Sequence, residues 1–182
     1  MRYVARRGGV WLALVVFGIL AALFSYFQPA EPPFSGRAGA VDGDTLRVRG
    51  LRVRLLGLDA PELAQTCTAA DGSQWPCGEA ARRQMVALLG DAAAVVCHPR
   101  GHDRYGRVLA RCQSASTDVG AAMVSAGLAV ADGDYYREEA LASADRIGIW
   151  AGSFTPPRQW RAAHAVDAGE PNFMQTIKDW FR

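Results

Sequence analysis

The feature that most limits the fold of this chain is a run near its start without a single charged side chain. Residues 10–27 read VWLALVVFGILAALFSYF. As a helix, this run would be about 27 Å long, which is close to the thickness of a bilayer core. It therefore predicts one transmembrane helix within residues 1–27, with a separate folded part behind it.

The charges around this run predict its orientation and account for the net charge of the chain. Arg2, Arg6 and Arg7 precede it and Glu31 follows it, so the N-terminus should stay in the cytoplasm and the rest should be exported. A cleaved signal peptide, with the AGA at 38–40 as its cleavage site, is the alternative and would give a secreted protein. The net charge is only +2, so the part without these arginines is almost neutral. Binding of nucleic acid by bulk charge is therefore not expected.

Composition divides the rest of the chain into three stretches. Residues 28–37 (QPAEPPFSGR) contain three prolines and predict an extended spacer. Residues 38–152 should form the folded domain, and residues 153–182 a tail. Within that tail, residues 172–181 place apolar side chains on one helical face, which would pack on the domain or lie on the membrane.

Short strands and three helices predict an α+β domain with a small barrel. The strands are expected at Thr45–Val48, Arg52–Leu56, Val95–His98 and Val108–Cys112. The helices are expected at Glu79–Leu89, Asp118–Ala126 and Arg137–Arg146. Thr117 is the expected N-cap of the second helix, and the chain after Trp150 should be irregular.

If the domain is exported, an even number of cysteines predicts two disulfides among Cys67, Cys77, Cys97 and Cys112. Cys97 and Cys112 are symmetric about the turn HDRYGR, so they should face each other across an antiparallel hairpin. This leaves Cys67 and Cys77 for one another. Free thiols, or a metal site that combines thiols with His98 or His102, are the alternatives, although the spacing of structural zinc sites is absent.

The segment 41–62, VDGDTLRVRGLRVRLLGLDAPE, brings acids at turns together with an arginine in an apolar strand. The acids are Asp44, Asp59 and Glu62, and the arginine is Arg54. Arg54 and Asp59 are an odd number of residues apart, so a straight strand would send them to opposite faces. A bend near Gly57 would bring them together.

These residue types are suited to the chemistry of phosphate esters. Two carboxylates with backbone carbonyls suit a hard cation such as Ca²⁺, and a third can take a proton from an attacking water. Arg54, and Arg107 after the turn at 103–107, can bind phosphate oxygens in pairs. Each part also has a simpler interpretation: Asp-Gly-Asp as a plain turn, the DAPE at 59–62 as a helix entry, and Arg107 as a solvated side chain.

Five motifs, in this order, resemble the staphylococcal nuclease (thermonuclease) family. They are VDGDT at 41–45, RVRLLGLDAPE at 52–62, DRYGR at 103–107, AGLA at 126–129 and GIW at 148–150. The resemblance covers residues 39–150. It implies a five-stranded OB-type β-barrel with three helices, which here would follow the transmembrane helix.

The resemblance also implies a role for particular residues of this sequence. The catalytic positions are Arg54, Glu62 and Arg107. The Ca²⁺ ligands are the carboxylates of Asp44 and Asp59 and the backbone carbonyl of Ala60, where the family usually has threonine. Asp42 would lie near the ion without binding it. Arg104, in place of a family lysine, and Tyr105 would lie beside the substrate.

The activity that the resemblance implies is that of a Ca²⁺-dependent nuclease acting on DNA and RNA. It would break the P–O5′ bond and leave 3′-phosphate ends, on the exported side of the membrane, with no obligate protein partner. The alternative is a non-catalytic module of the same fold that binds nucleic acid or protein. The presence of all the acidic and arginine positions favours the enzyme.

Overall fold

The computed structural model describes residues 10–20, 31–90 and 94–167, and the chain forms two compact units, Met1–Glu31 and Pro32–Arg182. In the first unit, residues 10–20 form helix α1. Within the described ranges, no helix combines the length and the apolar character that a bilayer requires. The predicted transmembrane helix is therefore not supported there, and residues 21–27 of that prediction lie outside the described residues, as does the predicted helix at 172–181.

The second unit contains eleven strands in its described part. They are β1 (Phe34–Gly36), β2 (Ala38–Ala40), β3 (Thr45–Val48), β4 (Leu51–Leu55), β5 (Gly57–Asp59), β6 (Cys67–Thr68), β7 (Gln74–Trp75), β8 (Val95–His102), β9 (Val108–Ser114), β10 (Thr117–Asp118) and β11 (Val130–Asp132). Seven of them form one sheet in the order β1-β8-β9-β4-β3-β2, with β10 also paired to β9. The pairs β5–β11 and β6–β7 form two small sheets.

The main sheet has more strands than the five that the family resemblance implied. Part of the difference comes from Phe34–Gly36, which the sequence placed in an extended spacer but which pairs with β8. Another part comes from Thr117 and Asp118, which add a short strand to β9. The α+β class is confirmed, and the strand count is corrected from five to seven.

The main sheet is curled, because its two edge strands are consecutive in the chain. β1 pairs with β8 at one end of the strand order, and β2 pairs with β3 at the other. Only Arg37 lies between β1 and β2, and consecutive Cα atoms are about 3.8 Å apart. The two ends of the sheet must therefore meet at this residue, which gives a half-barrel with an inner and an outer face.

The helices lie close to their predicted positions, with one addition. They are α2 (Cys77–Leu89), α3 (Val119–Ser125), α4 (Tyr136–Ala144), a 3₁₀ turn (Gly148–Ala151) and α5 (Pro157–Asp167). The predicted N-cap Thr117 is wrong: Asp118 caps α3 by accepting the N–H of Ala121 at 3.0 Å. Helix α5 lies in the stretch that the sequence predicted to be irregular.

The inner face of the half-barrel packs against α2 and α3. Leu46 and Val53 from the strands, Met85 from α2 and Met123 from α3 are each 0% exposed. Burial of side chains of this size stabilises the fold by about 2 kcal/mol each. The core therefore fixes the strand ends and the loops that carry the charged motifs.

Both predicted disulfides are present. Cys97 and Cys112 are direct partners in the β8–β9 register and are bonded to each other, and Cys67 is bonded to Cys77. All four thiols are therefore used. The alternatives of free cysteines and of a metal site built from these thiols are wrong.

Candidate active site

The arginine of the apolar strand joins the first two acids of the motif. Arg54 donates from Nη1 to Asp44 Oδ2 and from Nη2 to Asp59 Oδ1, both at 2.8 Å. Arg54 lies opposite Thr45 in the β3–β4 register, which places it beside Asp44. The chain then bends at Gly57, whose φ of +86° favours glycine, and β5 brings Asp59 back. The predicted bend is confirmed.

Asp44 is a buried carboxylate whose pairing with Arg54 does not fully offset its burial. It is 5% exposed, and besides Arg54 it accepts hydrogen bonds from the Thr45 hydroxyl at 3.0 Å and the Ala60 N–H at 3.3 Å. Burial raises the pKa of Asp44 to about 6, even though the Arg54 charge lowers it, and the nearby charge of Asp42 raises it further. A further cation beside Asp44 would stabilise its ionised form.

Arg54 stays charged in this environment. Burial lowers its pKa, but the charges of Asp44 and Asp59 and the hydrogen bond to Asp59 more than compensate, so the pKa of Arg54 is raised. Asp42 has a different role, since its Oδ1 accepts the backbone N–H of Asp44 at 3.0 Å and of Thr45 at 2.7 Å. Asp42 therefore shapes the loop that presents Asp44.

Glu62 is held next to the site by the loop that follows it. Its N–H donates to Gln65 Oε1 at 3.2 Å, and Gln65 is completely buried. The start of α2 packs on this loop so closely that a Cβ on Gly78 would come within 1.8 Å of the Glu62 carbonyl oxygen. Glycine is therefore required there, and the Cys67–Cys77 disulfide joins the end of the segment that follows Glu62 to the first residue of α2.

The structure adds Arg161, a residue of α5 that the sequence interpretation missed. Its Nη1 donates to Asp59 Oδ1 and Glu62 Oε1, and its Nη2 donates to Asp59 Oδ2, all at 2.9 Å. The hydrogen bond to Asp59 is the main reason that the pKa of Arg161 is raised, although burial lowers it. Two guanidinium groups thus share the three carboxylates of Asp44, Asp59 and Glu62.

Residues 153–155, which precede helix α5, hold it beside the site through hydrogen bonds to the rest of the domain. Gln65 Nε2 donates to the Thr155 carbonyl at 2.7 Å. Thr68 and Ser153 exchange two backbone hydrogen bonds of 2.9 Å. Gln65 therefore contacts both the Glu62 loop and the chain that leads into α5, so Arg161 is positioned by the same loop as Glu62.

A pocket of about 540 Å³ opens above these groups. Its lining residues are mostly cationic: Arg52, Arg54, Glu62, Arg104, Tyr105, Arg107 and Arg161. Arg107 donates from Nε to Asp103 Oδ2 at 2.7 Å, which fixes its guanidinium at the pocket wall. Arg104 lies over the Tyr105 ring, with its Cζ 4.9 Å from the ring centroid.

Asp44 and Asp59 have the chemistry of cation ligands, but arginines now occupy their oxygens. Among the described residues, no group of three or more His, Cys, Asp and Glu side chains is placed to hold a metal ion. Asp44 and Asp59 nevertheless aim hard carboxylate oxygens at one guanidinium, and burial raises the pKa of Asp44 despite that guanidinium. These oxygens fit Ca²⁺ in their chemistry, provided that an ion displaces the arginines that now occupy them.

Comparison with known proteins identifies the family of this chain. The family model described as staphylococcal nuclease homologue matches residues 52–152. The chain belongs to the staphylococcal nuclease family. A curated relative of this nuclease-family chain, the succinoglycan biosynthesis protein ExoI of Rhizobium meliloti (strain 1021), is 32% identical over 152 residues, which is 80% of each chain.

The site of this nuclease-family member brings together the residues that the sequence singled out. Arg54, Glu62, Arg104, Tyr105 and Arg107 line one pocket, with Asp44, Asp59 and Ala60 in the hydrogen-bond network beneath it. Arg161 lies outside the family match at 52–152. No motif pointed to it, so only its contacts in the folded chain reveal it.

Proposed function

We propose that this domain is a Ca²⁺-dependent nuclease that hydrolyses phosphodiester bonds of DNA and RNA and leaves 3′-phosphate ends. The observation that carries the proposal is that Arg54, Arg107 and Glu62 line the same pocket. Two guanidinium groups and one carboxylate are what attack of water on a phosphate diester requires. Membership of the staphylococcal nuclease family supports the same reaction.

In the proposed reaction each side chain has a separate task. Arg54 and Arg107 donate hydrogen bonds to the phosphate oxygens and stabilise the charge that develops in the transition state. Glu62 accepts a proton from the attacking water, whose oxygen forms the new bond to phosphorus. The P–O5′ bond breaks, and the departing oxygen is stabilised by Arg107 and takes its proton from solvent. Arg104 and Tyr105 contact the substrate next to the scissile phosphate.

The proposed cofactor is Ca²⁺ on Asp44, Asp59 and the Ala60 carbonyl. The support is the buried pair of carboxylates and the raised pKa of Asp44, which an additional cation would lower. When bound, the ion would supply Lewis acidity at a phosphate oxygen. Arg161 and Arg54 would have to release oxygens of Asp59 to make room for it.

A second candidate function comes from the name of the relative. ExoI is named as a succinoglycan biosynthesis protein, which favours a role of the same fold in polysaccharide synthesis, as a non-catalytic binding module. Retention of Arg54, Glu62 and Arg107 in one pocket favours the nuclease.

We also propose that the domain is exported. Two disulfides suit an oxidising compartment outside the cytoplasm. The apolar run at 10–27 and the arginines before it suit an export segment. Membrane attachment through this run stays a prediction.

The experiment is a cleavage assay of the purified protein on labelled single-stranded DNA and RNA, with Ca²⁺ or with chelator. We expect cleavage only with Ca²⁺, and 3′-phosphate ends detected by mass spectrometry. Glu62→Gln should lower kcat about 10³-fold, whereas Arg137→Gln, an exposed arginine of α4, should not change it. Equal rates with chelator would exclude the metal mechanism, and the absence of cleavage would favour the binding module.

A further inference from the structure

Arginines stand side by side next to the pocket, on two neighbouring strands and just before the start of a third. Arg47 of β3 is the direct partner of Arg52 of β4. Val53 and Val108 are partners in the parallel β4–β9 pair and both are buried, so the residues before them, Arg52 and Arg107, lie side by side on the outer face. We call Arg47, Arg52 and Arg107 the arginine row.

Within the described part of the chain, Arg47 and Arg52 have no acidic partner. Arg107 is paired with Asp103, but among the described residues no ion pair joins Arg47 or Arg52 to an acid. Both side chains are exposed. Two like charges directly opposite each other on a sheet destabilise it, so this pair is unfavourable for the isolated domain and would be relieved by an anion.

The row is continuous with the pocket. Arg52 and Arg107 both line it, and neighbouring strands are about 4.8 Å apart. The cations therefore extend from the pocket across three strands to Arg47. An anion that fits this arrangement is a chain of regularly spaced charges, one of which lies in the pocket while the others follow the row.

We infer that the arginine row is a binding track for the phosphate backbone of a single-stranded nucleic acid that extends beyond the scissile phosphate. This inference rests on the proposed nuclease function for the nature of the polyanion. Arginines on a sheet face can bind phosphate oxygens without contacting the base edges that carry sequence information. The track therefore makes affinity depend on length and salt and not on sequence.

The test is the affinity of fluorescent single-stranded DNA of two, four and eight nucleotides, measured by anisotropy in chelator so that the DNA stays intact. For the full chain, affinity should rise with length. In the double variant Arg47→Gln with Arg52→Gln, we expect affinity for the eight-nucleotide strand to fall about tenfold. The slope of log K against log salt should become less steep by about 1.4, which is 0.7 for each lost phosphate contact on a single strand.

The matched control is Arg82→Gln with Arg137→Gln, which removes the same charge from exposed positions of α2 and α4. An equal loss in this control, or an unchanged affinity and slope in the row variant, would overturn the track. Displacement of the DNA by polygalacturonate at equal charge concentration would overturn it in favour of an anionic polysaccharide. Length-dependent binding that the row variant weakens, without cleavage in Ca²⁺, would overturn the nuclease proposal and leave the track standing.

Discussion

Arg161 donates to both carboxylate oxygens of Asp59, a residue 102 positions earlier in the chain. Since Oδ1 of Asp59 also accepts from Arg54, both oxygens are already engaged by guanidinium groups. A paired arginine–carboxylate contact of this kind is among the stronger interactions between side chains. Any cation that uses Asp59 must therefore compete with a cation that the protein itself supplies.

Arg161→Gln should consequently bind Ca²⁺ more tightly than the wild type. Removal of this positive charge frees Oδ2 of Asp59, while Arg54 still donates to Oδ1, and we expect affinity for the ion to rise about tenfold, or about 1.4 kcal/mol. Isothermal titration calorimetry measures this directly. Arg137→Gln, at an exposed position of α4, is the control and should bind as the wild type does. Weaker binding in Arg161→Gln would mean that Arg161 holds the acids in place for the ion.

Asp103→Ala should slow the reaction and destabilise the domain together. Its Oδ2 fixes Arg107 Nε at 2.7 Å, and its Oδ1 accepts the N–H groups of Tyr105 and Arg107, both at 2.9 Å. We expect kcat to fall about tenfold and the free energy of unfolding to fall by about 2 kcal/mol. Asp103→Asn keeps the acceptor oxygen and should restore most of the stability but less of kcat. Loss of stability with an unchanged kcat would contradict the role of Asp103 in orienting Arg107.

The two disulfides should have similar effects on stability and different effects on activity. They close loops with sequence separations of 10 and 15 residues, so loss of either should lower the free energy of unfolding by about 3 kcal/mol. Cys67→Ala with Cys77→Ala also loosens the loop of Glu62, so its kcat should fall, whereas Cys97→Ala with Cys112→Ala should keep kcat. Denaturant unfolding and the cleavage assay, both at a temperature where each variant is folded, check this. If loss of either disulfide changed kcat equally, the Cys67–Cys77 disulfide would have no specific role in positioning Glu62.

The stability of the metal-free protein should fall as the pH rises through the titration of Asp44. Burial raises the pKa of Asp44 to about 6 from its ordinary 3.8, so the folded state binds this proton more tightly than the unfolded chain. The resulting stability is fully present below pH 3.8 and is lost as the pH rises through about 6, with a slope of at most about 1.4 kcal/mol per pH unit. Denaturant unfolding in chelator measures it. In Asp44→Asn this contribution to the pH dependence of stability should be absent. If the wild type and Asp44→Asn showed the same dependence of stability on pH, Asp44 would not be the group that titrates.

Local patterns predicted the parts of the site that lie close together in sequence. Arg54 and Asp59 are five residues apart, and a single glycine was enough to indicate the bend that joins them. The pairing of Cys97 with Cys112 followed from the symmetry of one hairpin. In each case the distance along the chain is short and the geometry of strands and turns determines the outcome.

The parts that sequence reasoning missed depend on contacts between distant segments. The sequence predicted irregular chain after Trp150, but α5 begins at Pro157, and proline is tolerated at the first position of a helix. The contact of Arg161 with Asp59 spans the whole domain, and no local pattern encodes it. The predicted N-cap Thr117 is wrong because Thr117 instead pairs with Ser114 in the β9–β10 ladder, which leaves Asp118 to cap α3.

The short connection between β1 and β2 at Arg37 also affects how easily the edges of the main sheet can pair with strands of other molecules. Each of these edge strands is three residues long, so neither of them offers a long row of backbone groups on its outer side. Exposed edges of this kind are where sheets recruit foreign strands and begin to aggregate. Because the half-barrel ends in two short strands joined through Arg37, β1 and β2 give a foreign strand little edge to pair with.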